Sequence, residues 1–295
     1  MPLSSSPEIF DNSINAWFKD MTNYDLSLMH FAFNAASELA SELELADEAA
    51  HWKAIGAQLP DLNLDEDGAL TFAKGFPYDQ SHRHFSHAMS IHPLGLVDWS
   101  QGEKSQEIIK ATLKKLQDFG PDYWCGYSYS WFGNMKARAF DGEGAADALR
   151  TFAECFCLPN AFHTNGDQTK SGKSKFTYRP FTLEGNFAFA AGIQEMLLQS
   201  HTGVIRVFPA VPVAWQDVSF DKLRAMGAFL VSAEKVAGQV RQVRILPEQG
   251  GTLRLAIPEG CKVASVTGNK GDKLEKEGVL ILETEKDKTV TVQYN

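Results

Sequence analysis

Near residue 200 the hydrophobic pattern of this chain changes its period, and no other feature constrains the fold as strongly. Before that point apolar residues recur at spacings of three and four, the period of a helix with one buried face. The stretch 23–45 places Leu26, Met29, Phe33, Ala36, Ala40 and Leu43 on one stripe, with Asn23 or Asp25 able to cap its start. The stretch 105–120 does the same with Ile108, Ile109, Leu113 and Leu116, and Gly120-Pro121 forms the stop. Further helical segments are expected at 128–140, 142–156 and 187–200, separated by long loops that hold most of the His, Asn and Trp. After Ser200 the pattern alternates, is rich in Val and Ile, and is broken by turn residues about every ten positions. The chain therefore reads as mainly α with a C-terminal all-β domain. The expected division is 1–200 helical and 201–295 a small antiparallel β-sandwich.

Charge narrows the partners. There are 28 Lys and Arg against 37 Asp and Glu, a formal net charge of −9, with no basic block. Nucleic acid and anionic membrane surfaces are not expected partners. No apolar run approaches the ~18 residues needed to span a bilayer. The opening "MPLSSSPEIF" shows no charged or apolar leader pattern, so no export signal is legible there. The four cysteines, Cys125, Cys155, Cys157 and Cys261, form no CxxC pair and read as small core residues.

Three polar constellations stand out. Glu8 follows Ser6-Pro7 ahead of the first long helix; a solvated loop is the plain account of it. His82, Arg83, His84, Ser86 and His87 lie within six residues. Imidazoles are good zinc ligands, but the spacing is not HExxH and no carboxylate lies inside the cluster, so no metal is expected. An Arg between two His suits several hydroxyls of a neutral polar ligand, although a polar helix start with ordinary capping also accounts for it. The third set is Glu184 with Asn186, and Asn160 as a further candidate. Glu184 precedes an apolar helical stretch, so it either favours the positive helix end or moves protons at a pocket rim. Trp124, Tyr127, Tyr129 and Trp131 crowd one approach; they suit either a sugar's apolar face or the core.

Taken in order, these motifs resemble glycoside hydrolase family 95, the inverting α-L-fucosidases and their relatives. Ser6-Pro7-Glu8 is similar to the family's Ser-Pro-Glu around its catalytic acid. His82-Arg83-His84-Phe85-Ser86-His87 matches its His-Arg-His-x-Ser-His run, with His92-Pro93 in place of the usual Tyr-Pro. Gly126 to Trp131 is similar to its Gly-Trp-Ser-x-x-Trp, and Phe181 to Ala188 to its Phe-Gln-Ile-Asp-Gly-Asn-Phe-Gly. Residues 191–215 resemble the family's last helix and its exit into a β domain. The resemblance implies an (α/α)6 toroid of six helical hairpins, of which this chain is the C-terminal part, followed by the β-sandwich. It implies release of terminal α-linked L-fucose, or a related sugar such as L-galactose, by inversion with two carboxylates. Glu8 is then the acid, which requires a raised pKa, and Glu184 the base-side carboxylate. His82, Arg83, His84, His87, Trp131 and Asn186 hold the sugar. No cofactor is implied, and the partners are a carbohydrate substrate and the absent N-terminal half, which carries two Asn that position water. Intact relatives are periplasmic or secreted enzymes on this reading, while the chain's own compartment stays open. Two departures keep an alternative open, a catalytically inactive carbohydrate-binding or scaffold protein: Glu184 stands where the family has Asp, and about half the toroid is missing.

Overall fold

The computed structural model describes residues 3–295. A two-residue strand β1 (Ser4–Ser5) pairs with β2 (Trp17–Phe18) and leads into helix α1 (Asn23–Glu42). Its cap is neither of the residues expected: Thr22 Oγ accepts from the Asp25 N–H at 3.2 Å. α1 buries Leu26 and Ala40 but leaves Leu43 exposed, so the expected stripe is only partly used. The reason is its neighbour. Helix α2 (Ala46–Gly56), which the periodicity did not mark, buries none of its own residues and packs on α1 through Phe33 against Trp52, ring centroids 6.1 Å apart.

A long irregular stretch then runs to helix α3 (Glu103–Phe119), which turns Ile109, Leu113 and Leu116 inward as its spacing predicts. It stops where Gly120 adopts φ 68°, a backbone conformation that costs an L side chain more than glycine. Helices α4 (Gly126–Arg138) and α5 (Gly142–Phe156) follow, then a second long loop and helix α6 (Glu184–Leu197). α4 is the centre of the helical half and buries nearly every residue it has. Two glycines let its neighbours approach: a Cβ at Gly133 of α4, or at Gly192 of α6, would lie 2.9 Å from the Leu149 side chain of α5.

The exit from α6 is a short ribbon, β3 (Leu198–Gln199) paired with β4 (Arg206–Val207). It is fastened to the helices by Gln199, whose amide donates to the Ala137 carbonyl at 2.9 Å, and by His201 Nε2 against Asp98 Oδ2 at 2.6 Å. Arg138 meets Glu195 in a two-pronged pair at 2.6 and 2.7 Å. Beyond it the strands are β5 (Val218–Ala225), β6 (Phe229–Val236), β7 (Gln239–Pro247), β8 (Gly251–Ala256), β9 (Val263–Thr267), β10 (Lys270–Lys276), β11 (Val279–Thr284) and β12 (Val290–Tyr294). They form two antiparallel sheets, ordered β5-β6-β7-β12-β9 and β10-β11-β8. Alternate residues from both, among them Val231, Val243, Ile245, Leu253, Leu255, Leu280 and Val292, meet in one core. That is the sandwich the period-two pattern demands. The helical half has its own core around Phe85, Trp124, Met135 and Phe156. Cys125 and Cys155 are buried as expected, while Cys157 and Cys261 are half-buried; all four are unpaired. Among the described residues no helix is long and apolar enough to cross a membrane.

Candidate active site

Glu8 sits in a left-handed turn (φ 55°, ψ 13°) closed by its own N–H donating to Asn12 Oδ1 at 3.0 Å. The turn aims its carboxylate at the His82–His84 segment, more than seventy positions away. Arg83 donates to Glu8 Oε2, and His84 Nε2 approaches the same oxygen to 3.0 Å, off the line of a good hydrogen bond. His82 completes the knot. Its Nδ1 accepts from the His84 N–H at 3.1 Å, which leaves Nε2–H to donate to the Glu8 carbonyl at 3.3 Å. Two positions earlier, Ser6 and Ser86 share a hydroxyl hydrogen bond. Ser-Pro-Glu and His-Arg-His are therefore one built unit rather than a solvated loop beside a helix start.

The electrostatics run against the sequence expectation for Glu8. Partial burial pulls its pKa up, but contact with His84 and the charge and hydrogen bond of Arg83 outweigh this and hold it below the ordinary carboxylate range. The expected walls of apolar side chains do not enclose it, since the side chain is 41% exposed. His84 also titrates low, because its burial outweighs the attraction of Glu8. Arg83 and His84, expected to hold sugar hydroxyls, are in this state spent on the carboxylate. A hollow of about 250 Å³ opens beside them, lined by Phe10, Phe72, Phe76, Asp79 and His82 among others.

His87 belongs elsewhere. It is 1% exposed, stacked on Tyr78 at 5.2 Å and edge-on to Phe72 at 4.7 Å. Burial pushes its pKa down to about 3, so it is a neutral core residue out of a ligand's reach. Trp131 is likewise interior: its indole N–H donates to the His92 carbonyl at 3.0 Å, and the ring packs near Phe85. Trp124 and Tyr129 are also core, and of the four aromatics only Tyr127 is half-buried.

Helix α6 starts three residues earlier than its periodicity suggests, which puts Glu184 in its first turn. The side chain is exposed and, among the described residues, makes no side-chain hydrogen bond. Tyr127 lies within reach of its field: burial raises the phenol pKa first, and the Glu184 charge raises it further. Asn186 is not free for a ligand, because its Oδ1 accepts from the His163 N–H at 3.0 Å and its Nδ2 donates to the Ala161 carbonyl at 2.9 Å. Asn160 only closes a local turn, accepting from the Phe162 N–H at 3.1 Å.

The start of α4 joins the two carboxylate-bearing segments. Ser128 Oγ donates to the Arg83 carbonyl at 2.8 Å, and Ser130 Oγ donates to the Gly185 carbonyl at 3.1 Å. One helix end thus holds the Glu8 unit on one flank and the Glu184 turn on another. Two contributors escaped the sequence reading. Asp167, fully buried, accepts from the backbone N–H groups of Thr169, Lys170 and Lys173 at 2.9–3.1 Å. It thereby shapes the loop that returns Phe176 beneath the Arg83 guanidinium, 5.9 Å from the ring centre. An Asp followed two residues on by Thr is the available sequence signal for such a turn. The other, His163, lies in no motif.

Comparison with known families covers almost the whole chain. Residues 1–197 match the model of the glycosyl hydrolase family 95 catalytic domain, and residues 199–292 that of the family's C-terminal domain. The chain belongs to glycoside hydrolase family 95. Among curated family relatives, "Alpha-L-fucosidase 2" of Arabidopsis thaliana is 28% identical over 231 residues. That alignment covers 76% of this chain and 27% of the relative, so the chain spans roughly a quarter of the length of the curated protein it matches.

Proposed function

We propose that this chain carries the two carboxylates of a glycoside hydrolase that removes a terminal α-linked L-fucose, or a closely related sugar, with inversion. The observation that supports it is the α4 helix end, where two neighbouring serines tie the Glu8 unit and the Glu184 turn to one framework. Inversion needs one carboxyl to protonate the leaving oxygen and another group to activate water on the opposite face. Glu184, exposed and unpaired, is suited to the base side. Glu8 is an ionised carboxylate while Arg83 holds it, so its role as acid requires Arg83 to leave, and sugar hydroxyls are the natural competitor for that guanidinium. The longer polypeptide of the relative fits the expectation that water-positioning groups lie outside these residues, so turnover is expected of a full-length family polypeptide.

The test uses that polypeptide carrying this sequence, with an aryl α-L-fucoside and a natural fucosyl oligosaccharide. Glu184→Gln should lower kcat by ~10²–10⁴-fold on both substrates. Glu8→Gln should lower it as far on the oligosaccharide but much less on the aryl fucoside, whose leaving group needs little protonation. NMR should show the β-anomer released first. Near wild-type turnover by either variant on the oligosaccharide refutes its role. The resting ion pair at Glu8, and Glu184 in place of Asp, favour one second reading: a carbohydrate-binding protein without turnover, which would bind fucose and release none.

A further inference from the structure

His163 takes no part in the chemistry above, yet it stands where the two helix starts meet. It lies in the loop after α5 and is fully buried. A Cβ at Gly126, the first residue of α4, would stand 2.3 Å from its Nε2, and a Cβ at Gly185, the second residue of α6, 2.5 Å from its Nδ1. Neither glycine has a positive φ; at Gly185 the ring takes the space a Cβ would need, and at Gly126 it does so together with Phe156, whose Cβ would stand 2.7 Å away.

The polar groups of His163 are directed at one turn. Nδ1 lies 3.1 Å from the Thr182 carbonyl and 2.8 Å from the Thr182 hydroxyl. The backbone N–H donates to Asn186 Oδ1 at 3.0 Å, and the backbone carbonyl accepts from the Thr182 N–H at 3.4 Å. Facing a carbonyl, Nδ1 carries the proton, which leaves Nε2 as a bare acceptor with no partner among the described residues. His163 therefore holds Thr182 through its ring and Asn186 through its backbone N–H, on either side of Glu184, while the ring fills the gap between the helices.

We propose that His163 is a positioning residue: its ring locks the Thr182–Asn186 turn against the start of α4, and so holds Glu184 in a single pose. The importance of that pose for turnover rests on the role proposed above for Glu184; the locking itself does not.

Two variants separate volume from hydrogen bonding. His163→Asn keeps a donor near the Nδ1 position, and His163→Leu fills the space without one. Amide hydrogen exchange is followed at residues 187–189, the first hydrogen-bonded amides of α6, with the amides of Val243 and Ile245 in the β core as an internal standard. His163→Leu should accelerate exchange at 187–189 by about tenfold or more and leave the β core unchanged, while His163→Asn stays within about threefold of wild type. Unchanged protection in the Leu variant overturns the proposal, as does equal loss in both. If His163→Leu does not fold, Thr182→Val removes one partner at constant volume. Faster exchange confined to 187–189 then supports the locking, and no change overturns it. Turnover in the full-length polypeptide reads the other question. Lost protection with kcat lowered and KM held supports both ideas. Lost protection with full kcat leaves the locking standing and sinks the importance of that pose for turnover, while Glu184→Gln tests the role of the carboxylate itself.

Discussion

A buried histidine that must stay neutral records its environment in the pH dependence of folding. His87 is sealed between Tyr78 and Phe72, with His82 adding a further unfavourable charge, and its pKa falls to about 3 from an unperturbed 6.5. The folded pKa lies below the unfolded one, so between about 3 and 6.5 the unfolded chain binds the extra proton. Stability from this residue is therefore complete above pH 6.5 and declines as pH falls through that window. His87→Phe, which keeps an aromatic ring and removes the proton site, should flatten the slope of unfolding free energy against pH between 6.5 and 4. Urea unfolding at several pH values measures it; an unchanged slope would mean that His87 is solvated. The contrast with Glu8 is instructive. Both belong to polar motifs, but one is excluded from water by aromatic rings and the other is held at the surface by Arg83 and His84.

Among the elements, α4 decides the arrangement, because both of its neighbours come close enough to need glycine. Leu149 of α5 fills the space above Gly133 and also meets Gly192 of α6. Gly133→Ala inserts a methyl at 2.9 Å from that side chain, with the Ala145 carbonyl at 3.4 Å behind it. The helix gains propensity from alanine, but overpacking of this kind costs about 1–3 kcal/mol and should win. Chemical denaturation should show a loss of roughly that size. The double variant with Leu149→Ala should lose less than the two single losses combined, since the two substitutions share one contact. Strictly additive losses would show that Leu149 is not what Gly133 accommodates.

At the scale of the molecule, three apolar clusters hold the chain, the third joining α4, α5 and α6 to Ala210, and the hairpin of α1 and α2 leaves much of its apolar surface bare. Its apolar residues Phe31, Leu39, Leu43 and Leu45 are exposed, Leu43 at 68%. A second group, Phe162, Phe181, Leu183 and Phe187, is exposed around the start of α6. Apolar surface gathered in this way favours association. Residues 1–295 expressed alone should therefore self-associate at micromolar concentration, as light scattering would show by a mass well above the chain's 32.6 kDa. Leu39→Lys with Leu43→Glu should shift the distribution toward monomer. A monodisperse wild-type monomer would show that these faces are tolerated in water.

Some of this was legible in the chain alone, because it rests on local chemistry. The period of apolar residues determines which face of α3 is buried and that the last hundred residues alternate into sheets, since each follows from backbone geometry within a few residues. The ordered polar motifs were likewise enough to point to family 95. The pairing of Glu8 with Arg83 was not legible, because it joins segments more than seventy residues apart through a left-handed turn. Nor was the burial of His87 and Trp131, although each stands in the same motif as more exposed residues: whether a side chain faces a ligand or the core depends on which distant rings close over it. His163 shows the limit most clearly. Its place is set by two glycines on separate helices and a turn beyond them, and nothing in its own neighbourhood of sequence brings those together. Only packing in three dimensions does, because the space a ring fills is defined by all its neighbours at once.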